Sequence, residues 1–534
     1  MIVVGGCVRF GFSTQDQGGD IARAFDAAAV DEGKGEEGPS DTHGEYPPED
    51  ATLDQVPYLD LPPGQDATHD QAPQPDHAPL LDHAPLLDQA PQPDQAPQPD
   101  QAPQPDQAPD TGPSVLWPRC FGGTGVDAGN AVAVDANGNV YLIGVYESTV
   151  TLGGANVTSA GGRDIFLASY TSTGQHRWSK SFGGTGKEDG AGVAVDASGN
   201  VYITGSFENS IDFGGGKLNA FDDAAFLASF DSTGAHRWSK GFNGLSAERG
   251  NSVAVDPSGN VYITGYFGMT VNFGSSLKSS GDFDVFIVSY DPTGSHRWST
   301  HAGGSSKDEG YGVAVGGGNV YLTGFFSQTA AFGGTNVTSS GGEDIFLASY
   351  TTSGTFRWVK PFGGSLDDEG KGVTVDGSGN VTMTGFFAGT ADFGNGSSTS
   401  VGQKDVFVAS YSSMGGYRWA ITGGSALEDT GYSVTVDPSA NVYVTGFVSG
   451  NANLGGGLTG AGGQDIFVAR YSASGGNPWS KGFASSSEEI GHGLAVDKST
   501  GAVLVTGYHS GKVDLGGGPV TGAGFGDIYL LQIP

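Results

Sequence analysis

Carboxylates that recur about every sixty residues are the side chains whose type and spacing best suit chemistry in this chain. They fall into three series. One sits in turns: Asp135, Asp196, Asp256, Asp376, Asp437 and Asp497. A second opens apolar strands: Asp164, Asp284, Asp344, Asp405, Asp465 and Asp527. The third is looser and often doubled, as Asp127, Glu188/Asp189, Glu248, Asp308/Glu309, Asp368/Glu369, Glu428/Asp429 and Glu488/Glu489. Carboxylate oxygens are hard ligands, so a ring of them suits Ca²⁺ or a cationic ligand. Residues Asp127, Asp189, Glu248, Glu309, Glu369, Asp429 and Glu489 are the candidate metal rim, expected to be exposed; a solvated acidic rim is the competing reading. The first two series read as architecture, because an Asp beside a turn accepts backbone N–H bonds. No catalytic or cofactor-binding residue is assigned. His176, His236 and His296 repeat beside tryptophans, and with Arg177, Arg237, Arg297, Arg357 and Arg418 they read as charges protecting a sheet edge. Only His301, His492 and His509 break the repeat, and no nucleophile accompanies them.

Positioning these acids takes many short strands. The motif VYITG occurs at Val140–Gly144, Val201–Gly205, Val261–Gly265, Val320–Gly324, Val381–Gly385, Val442–Gly446 and Val503–Gly507, with some substitution. All seven tryptophans keep the same period, at Trp117, Trp178, Trp238, Trp298, Trp358, Trp419 and Trp479. Each unit reads as four strands. In the second copy these are VAVD, VYITGSF, a third strand like DIFLASY, and HRWSKSF-type residues after a Gly-rich turn. Runs of β-branched and aromatic residues between Gly, Asn, Asp and Ser turns are hairpin signals. The third strand is apolar on both faces, so it must be covered on both sides. The expected fold is all-β, a seven-bladed β-propeller of four-stranded blades. The ordered repeats begin with a Trp strand and end with a third strand, Asp527–Ile533. The expectation is that the segment around Trp117 supplies the last blade's outer strand. Loops entering the first and third strands then open on one face.

Composition agrees. Gly is abundant at 93 residues, charge is sparse, and the net charge of −34 opposes nucleic-acid backbones and anionic lipid as partners. No apolar run is long enough to span a membrane as a helix. Cys7 and Cys120 are too few for a disulfide framework and lack metal-ligand spacing. Three regions are expected: residues 1–7, 8–113 and 114–534. Val4-Gly5-Gly6-Cys7 is similar to the lipobox before a lipidated cysteine, although no basic region or long apolar core precedes it. Residues 8–113 read as disordered, acidic and rich in Pro, Asp and Gln. From Asp70 a hexapeptide of the DQAPQP or DHAPLL type repeats through Asp76, Asp82, Asp88, Asp94 and Asp100. Proline in every copy favours polyproline II, a spacer reaching on the order of 120 Å.

The repeated GNVYITG, the GGxDIFLASY followed by TGxxRW, and FGG before GxxVAVD together resemble the bacterial seven-bladed β-propeller repeat abbreviated SBBP. The resemblance runs from Val115 to the C-terminus and implies a secreted or cell-surface protein, with an outer-membrane lipoprotein as one form. Departures are Ala224 for the strand Asp, Gly316 for a turn Asp, and Asn477-Pro478 before Trp479. The stretch Ala228–Trp238 is similar to the tryptophan repeat of quinoprotein dehydrogenases and to the sialidase Asp-box, but both spacings are wrong. The expected function is a non-enzymatic, monomeric binding module on a stalk, with a protein or polysaccharide ligand. The alternatives are a polysaccharide-acting hydrolase or lyase of the propeller class, and a purely structural matrix module.

Overall fold

The structure is a computed structural model that describes residues 113–476 and 478–534. The lipobox-like segment, Cys7 and the hexapeptide spacer lie outside the described residues. Among those described there are strands, turns and bends but no helix.

The second copy shows why the sequence folds as it does. Glu188–Val195, Val201–Phe207, Ala224–Phe230 and His236–Phe242 form one antiparallel sheet in chain order. Its turns are set by chemistry rather than length. Asp196 accepts backbone N–H bonds from Ser198 and Asn200, the Asn200 side-chain amide and the Tyr202 hydroxyl. Gly199 then takes φ 81°, which a Cβ would strain. One residue therefore fixes both the hairpin and the tyrosine at the base of the next strand. The turn series is architectural, as expected.

Three further sheets repeat this order. An eight-stranded sheet joins two more such units where Ala302–Gly304 pairs with Phe332–Ala330. The remaining sheet takes its outer strand from the start of the repeats, with Trp117 opposite Gln532 and Phe121 opposite Ile528.

Core lies between sheets rather than within one. Each third strand is buried along its whole length, as in Asp164–Tyr170 and Ala224–Phe230. One apolar cluster joins Ile143, Ile165 and Leu167 to Val193, Ile203 and Phe226 of the following unit. The equivalent cluster joins Leu504, Ile528 and Leu530 of the last unit to Leu142, Phe166 and Tyr170 of the first. Burying residues of this size contributes about 1.5–3 kcal/mol each, so the seams hold much of the stability.

The Arg-Trp pair locks the same seams, not an exposed edge. Trp178 Nε1–H donates to the Ser232 carbonyl of the next unit's turn at 3.1 Å, and Trp419 does so to Ala473 at 3.0 Å. Arg177 donates to Ser169 Oγ in its own sheet and to the same Ser232 carbonyl. The indole lies against the turn glycine, Trp178 on Gly234 and Trp238 on Gly294, both at positive φ. That close approach explains the glycine before each RW. The planar, forked guanidinium suits two acceptors at once. This corrects the edge-protection reading.

Candidate functional site

The acids come first. In every unit at least one member of the third series is buried: Asp127, Glu188, Glu248, Asp308, Asp368, Asp429 and Glu489 are, and so are Asp189 and Glu309. The first strand begins at or next to the unit's residue among the first seven, earlier than VAVD suggests, so it is a strand residue rather than an exposed rim residue. Glu248 accepts the Gly244 N–H at 2.8 Å, and Asp308 accepts those of Gly304 and Ser327. Asp368 does the same with Gly364 and Ala388. These carboxyls tie the loop entering one unit to the loop beyond its second strand. Burial pushes them upward, to about 7 for Asp127, Glu188, Asp308 and Asp368 and about 8 for Glu248 and Glu489, against the pull of the backbone donors. The strand-opening series behaves alike: Asp164 is buried and accepts the Ala160 N–H, and burial raises it.

The seven residues of the expected metal rim therefore divide. Asp127, Glu248, Asp429 and Glu489 are buried loop ties. Asp189, Glu309 and Glu369 occupy the next position along and are paired with cations. Asp189 meets Arg249 at 2.7 Å, Glu309 meets Lys307 at 2.8 Å, and Glu369 meets Lys371 at 2.5 Å. Burial would raise Asp189, but Arg249 and Arg163 carry it below the usual carboxylate range. Among the described residues, no three His, Cys, Asp or Glu side chains are grouped so as to hold a metal ion.

A different ring lies three residues beyond the leading acid in most units. Every first strand has a β-bulge there, with register shifts across Gly129/Ala131, Gly190/Gly192, Gly250/Ser252, Gly310/Gly312, Gly370/Gly372, Gly431/Ser433 and Gly491/Gly493. A bulge re-aims its extra side chain. The bulged residues are Asn130, Ala191, Asn251, Tyr311, Lys371, Tyr432 and His492, and all seven line one cavity of about 220 Å³. The glycine before each bulge is needed, since a Cβ on Gly190 would meet Ile143 Cγ1 of the preceding unit at 2.7 Å.

The lining is polar and aromatic, and Lys371 is its one charged residue. Its ammonium sits 3.9 Å from the centre of the Tyr311 ring while bound to Glu369. Asn130 donates to Asp189 and to the Gly190 carbonyl, and Asn251 donates to the Gly310 carbonyl. His492 packs edge-on against Tyr432 at 5.5 Å and lies 5.6 Å from Tyr508. Burial among the surrounding strands pushes its imidazole down to about 4, although a ring N–H bond to the Gly129 backbone and the charge of Asp189 oppose this. The ring is therefore neutral at pH 7.

Of these residues the sequence singles out only His492. The others fall in the x of GxxVAVD, a column whose signal is its variability between constant neighbours. His301 pairs with Asp284 at 3.8 Å, and His509 is buried.

Antiparallel four-stranded sheets on a sixty-residue repeat, packed face to face through apolar seams, define a β-propeller repeat protein. The model of the SBBP beta-propeller repeat family matches residues 177–206 and 241–266, so the chain carries the repeat of that family. An uncharacterized WD repeat-containing protein of Acanthamoeba polyphaga mimivirus is 21% identical over 444 residues, 64% of this chain and 31% of that protein. The regulatory protein FlaEY of Caulobacter vibrioides is 26% identical over 195 residues, covering 34% of this chain and 20% of its own length. The chain thus spans less than a third of either relative. A chain in the mitotic checkpoint complex is 10% identical with a TM-score of 0.43, covering 81% of this chain and 96% of its own. Hydrazine synthase of Kuenenia stuttgartiensis is also 10% identical, with a TM-score of 0.38, covering 75% and 97%.

Proposed function

We propose that residues 114–534 form a seven-bladed propeller, with its ring joined by Trp117–Phe121 against Asp527–Ile533, and that it is a non-catalytic module binding a ligand at the cavity of bulged residues. One observation carries the reading. The seams repeat from unit to unit, whereas the seven side chains aimed into the cavity are five different residue types. A position conserved by packing needs no such variety, and a ligand without sevenfold symmetry does. Ring closure is supported by the apolar cluster between the last and first units, which matches those between consecutive units. A binding rather than a catalytic role is supported by a lining that, among the described residues, holds no carboxylate and one neutral histidine. The ligand is a glycan or a protein segment, held without a cofactor. Display outside the cell, through a lipidated Cys7 and the proline-rich spacer, belongs to the same proposal and is supported by those motifs alone.

Three measurements test this. Removing Ser114–Phe121 is expected to lower the urea midpoint far more than removing Met1–Gly112; equal, small effects would refute the closure. Filling the cavity by Ala191→Trp is expected to abolish ligand binding and leave melting intact, whereas retained binding moves the site elsewhere. A rise of melting temperature on adding Ca²⁺ would restore the acidic ring as a metal site.

A further inference from the structure

The cavity has a chemistry specific enough to name a ligand class, and that step rests on the binding reading above. Four features converge there. First, the lining is almost uncharged in a chain of net charge −34, and its one cation, Lys371, is held by Glu369. The charges just behind it are also paired, Asp189 with Arg249 and Glu309 with Lys307. A charged ligand entering here would lose its hydration and find no free counter-charge. Second, His492 Nδ1 is buried with no hydrogen-bond partner. A buried acceptor of this kind calls for a donor from outside the protein. Third, Tyr432 flanks that histidine and also lines the cavity, with Tyr311 on the far side beside Lys371. Aromatic faces of this kind suit the C–H faces of a ring that is polar only at its rim. Fourth, about 220 Å³ falls below the roughly 300–1,000 Å³ of pockets for drug-sized ligands, so a single small ring is the natural occupant.

We infer that the cavity takes one neutral, polyhydroxylated ring, such as the terminal hexopyranose of a glycan, with a ligand hydroxyl donating to His492 Nδ1 and the sugar's apolar face on Tyr432. The Asn130 and Asn251 amides, each oriented by a neighbouring unit's glycine carbonyl, add polar contacts elsewhere in the lining.

The test uses the full chain and saturation-transfer NMR with glucose, galactose, mannose and N-acetylglucosamine, against glucosamine and glucuronate as charged counterparts. At least one neutral sugar is expected to bind, with affinity reduced about tenfold or more by His492→Phe, which keeps the ring and removes the acceptor. Tyr432→Leu gives the same loss by a separate route should the first variant fail to fold. Charged counterparts are expected to bind more weakly than the neutral parent. Equal or tighter binding of glucuronate or glucosamine, no binding of any neutral sugar, or an unchanged affinity in both variants overturns the inference. A small-fragment screen then separates the two levels. Fragments displaced by Ala191→Trp would leave the cavity a binding site for another class, and no fragment sensitive to that change would overturn the binding reading as well.

Discussion

The seams between units and the lining of the cavity are built on the same first strands, yet they obey opposite rules. At the seams every copy does the same thing. A buried acid ties two loops, an indole donates to the next turn, and a glycine lets a neighbour approach. At the lining nearly every copy differs, and the residue that differs sits one place from an invariant glycine. The seam between the sixth and seventh units marks where the rule lapses. Trp479 makes no hydrogen bond of the Trp178 type among the described residues. Repetition thus reports geometry shared by all units, and divergence reports demands made on one place.

This contrast predicts a gradient of effects. The largest point effect belongs to a complete seam: Trp238→Ala is expected to cost about 3–5 kcal/mol in urea unfolding. Trp479→Ala, which loses no such hydrogen bond, is expected to cost less. Equal costs would show that the turn contact contributes nothing. Next comes the close approach before the bulge. Gly190→Ala places a methyl against Ile143 and Ile165 and is expected to cost about 1–3 kcal/mol. A stability within error of the parent would mean that the seam relaxes freely.

The buried acids give a pH signature. Their folded values, about 7 to 8, lie above the ordinary carboxylate range, so folding favours the protonated form. That contribution is complete below about pH 4, the unfolded value, and is lost as pH rises through 7 to 8. The urea midpoint is therefore expected to fall between pH 5.5 and pH 8.5, roughly one unit either side of those values. Glu248→Gln should flatten part of that slope, since it keeps the shape beside Gly244 without the charge. A midpoint that rises over this range would contradict the assignment. The smallest effect is reserved for the lining. Ala191→Asn, which copies the residue of two other units, should change stability by no more than about 0.5 kcal/mol. A large loss there would make the bulge column structural after all.

Much of the architecture was legible before any coordinates. The four-strand unit follows from β-branched and aromatic runs between Asp-x-x-Gly-Asn turns, and the pairing of Trp117 with the last unit follows from the order in which strands occur. The turn acids were legible too, because a short side chain bonding its own backbone is a local event. The third acidic series was misread as an exposed rim. Its doubled residues look alike in a string, and only their place at the start of a strand, where successive side chains alternate, separates Glu188, turned into the loops, from Asp189, turned toward Arg249.

What the sequence by itself determined is therefore whatever depends on near neighbours: strand, turn, repeat and the identity of each seam residue. What only the tertiary structure decided is the meeting of Asn130, Ala191, Asn251, Tyr311, Lys371, Tyr432 and His492. No two of them are neighbours in sequence, and each is aimed by a backbone bulge that leaves no mark except a glycine. Their shared cavity exists because the sheets of successive units pack side by side, and packing between distant segments is set by the whole ensemble of seams rather than by any one stretch of chain.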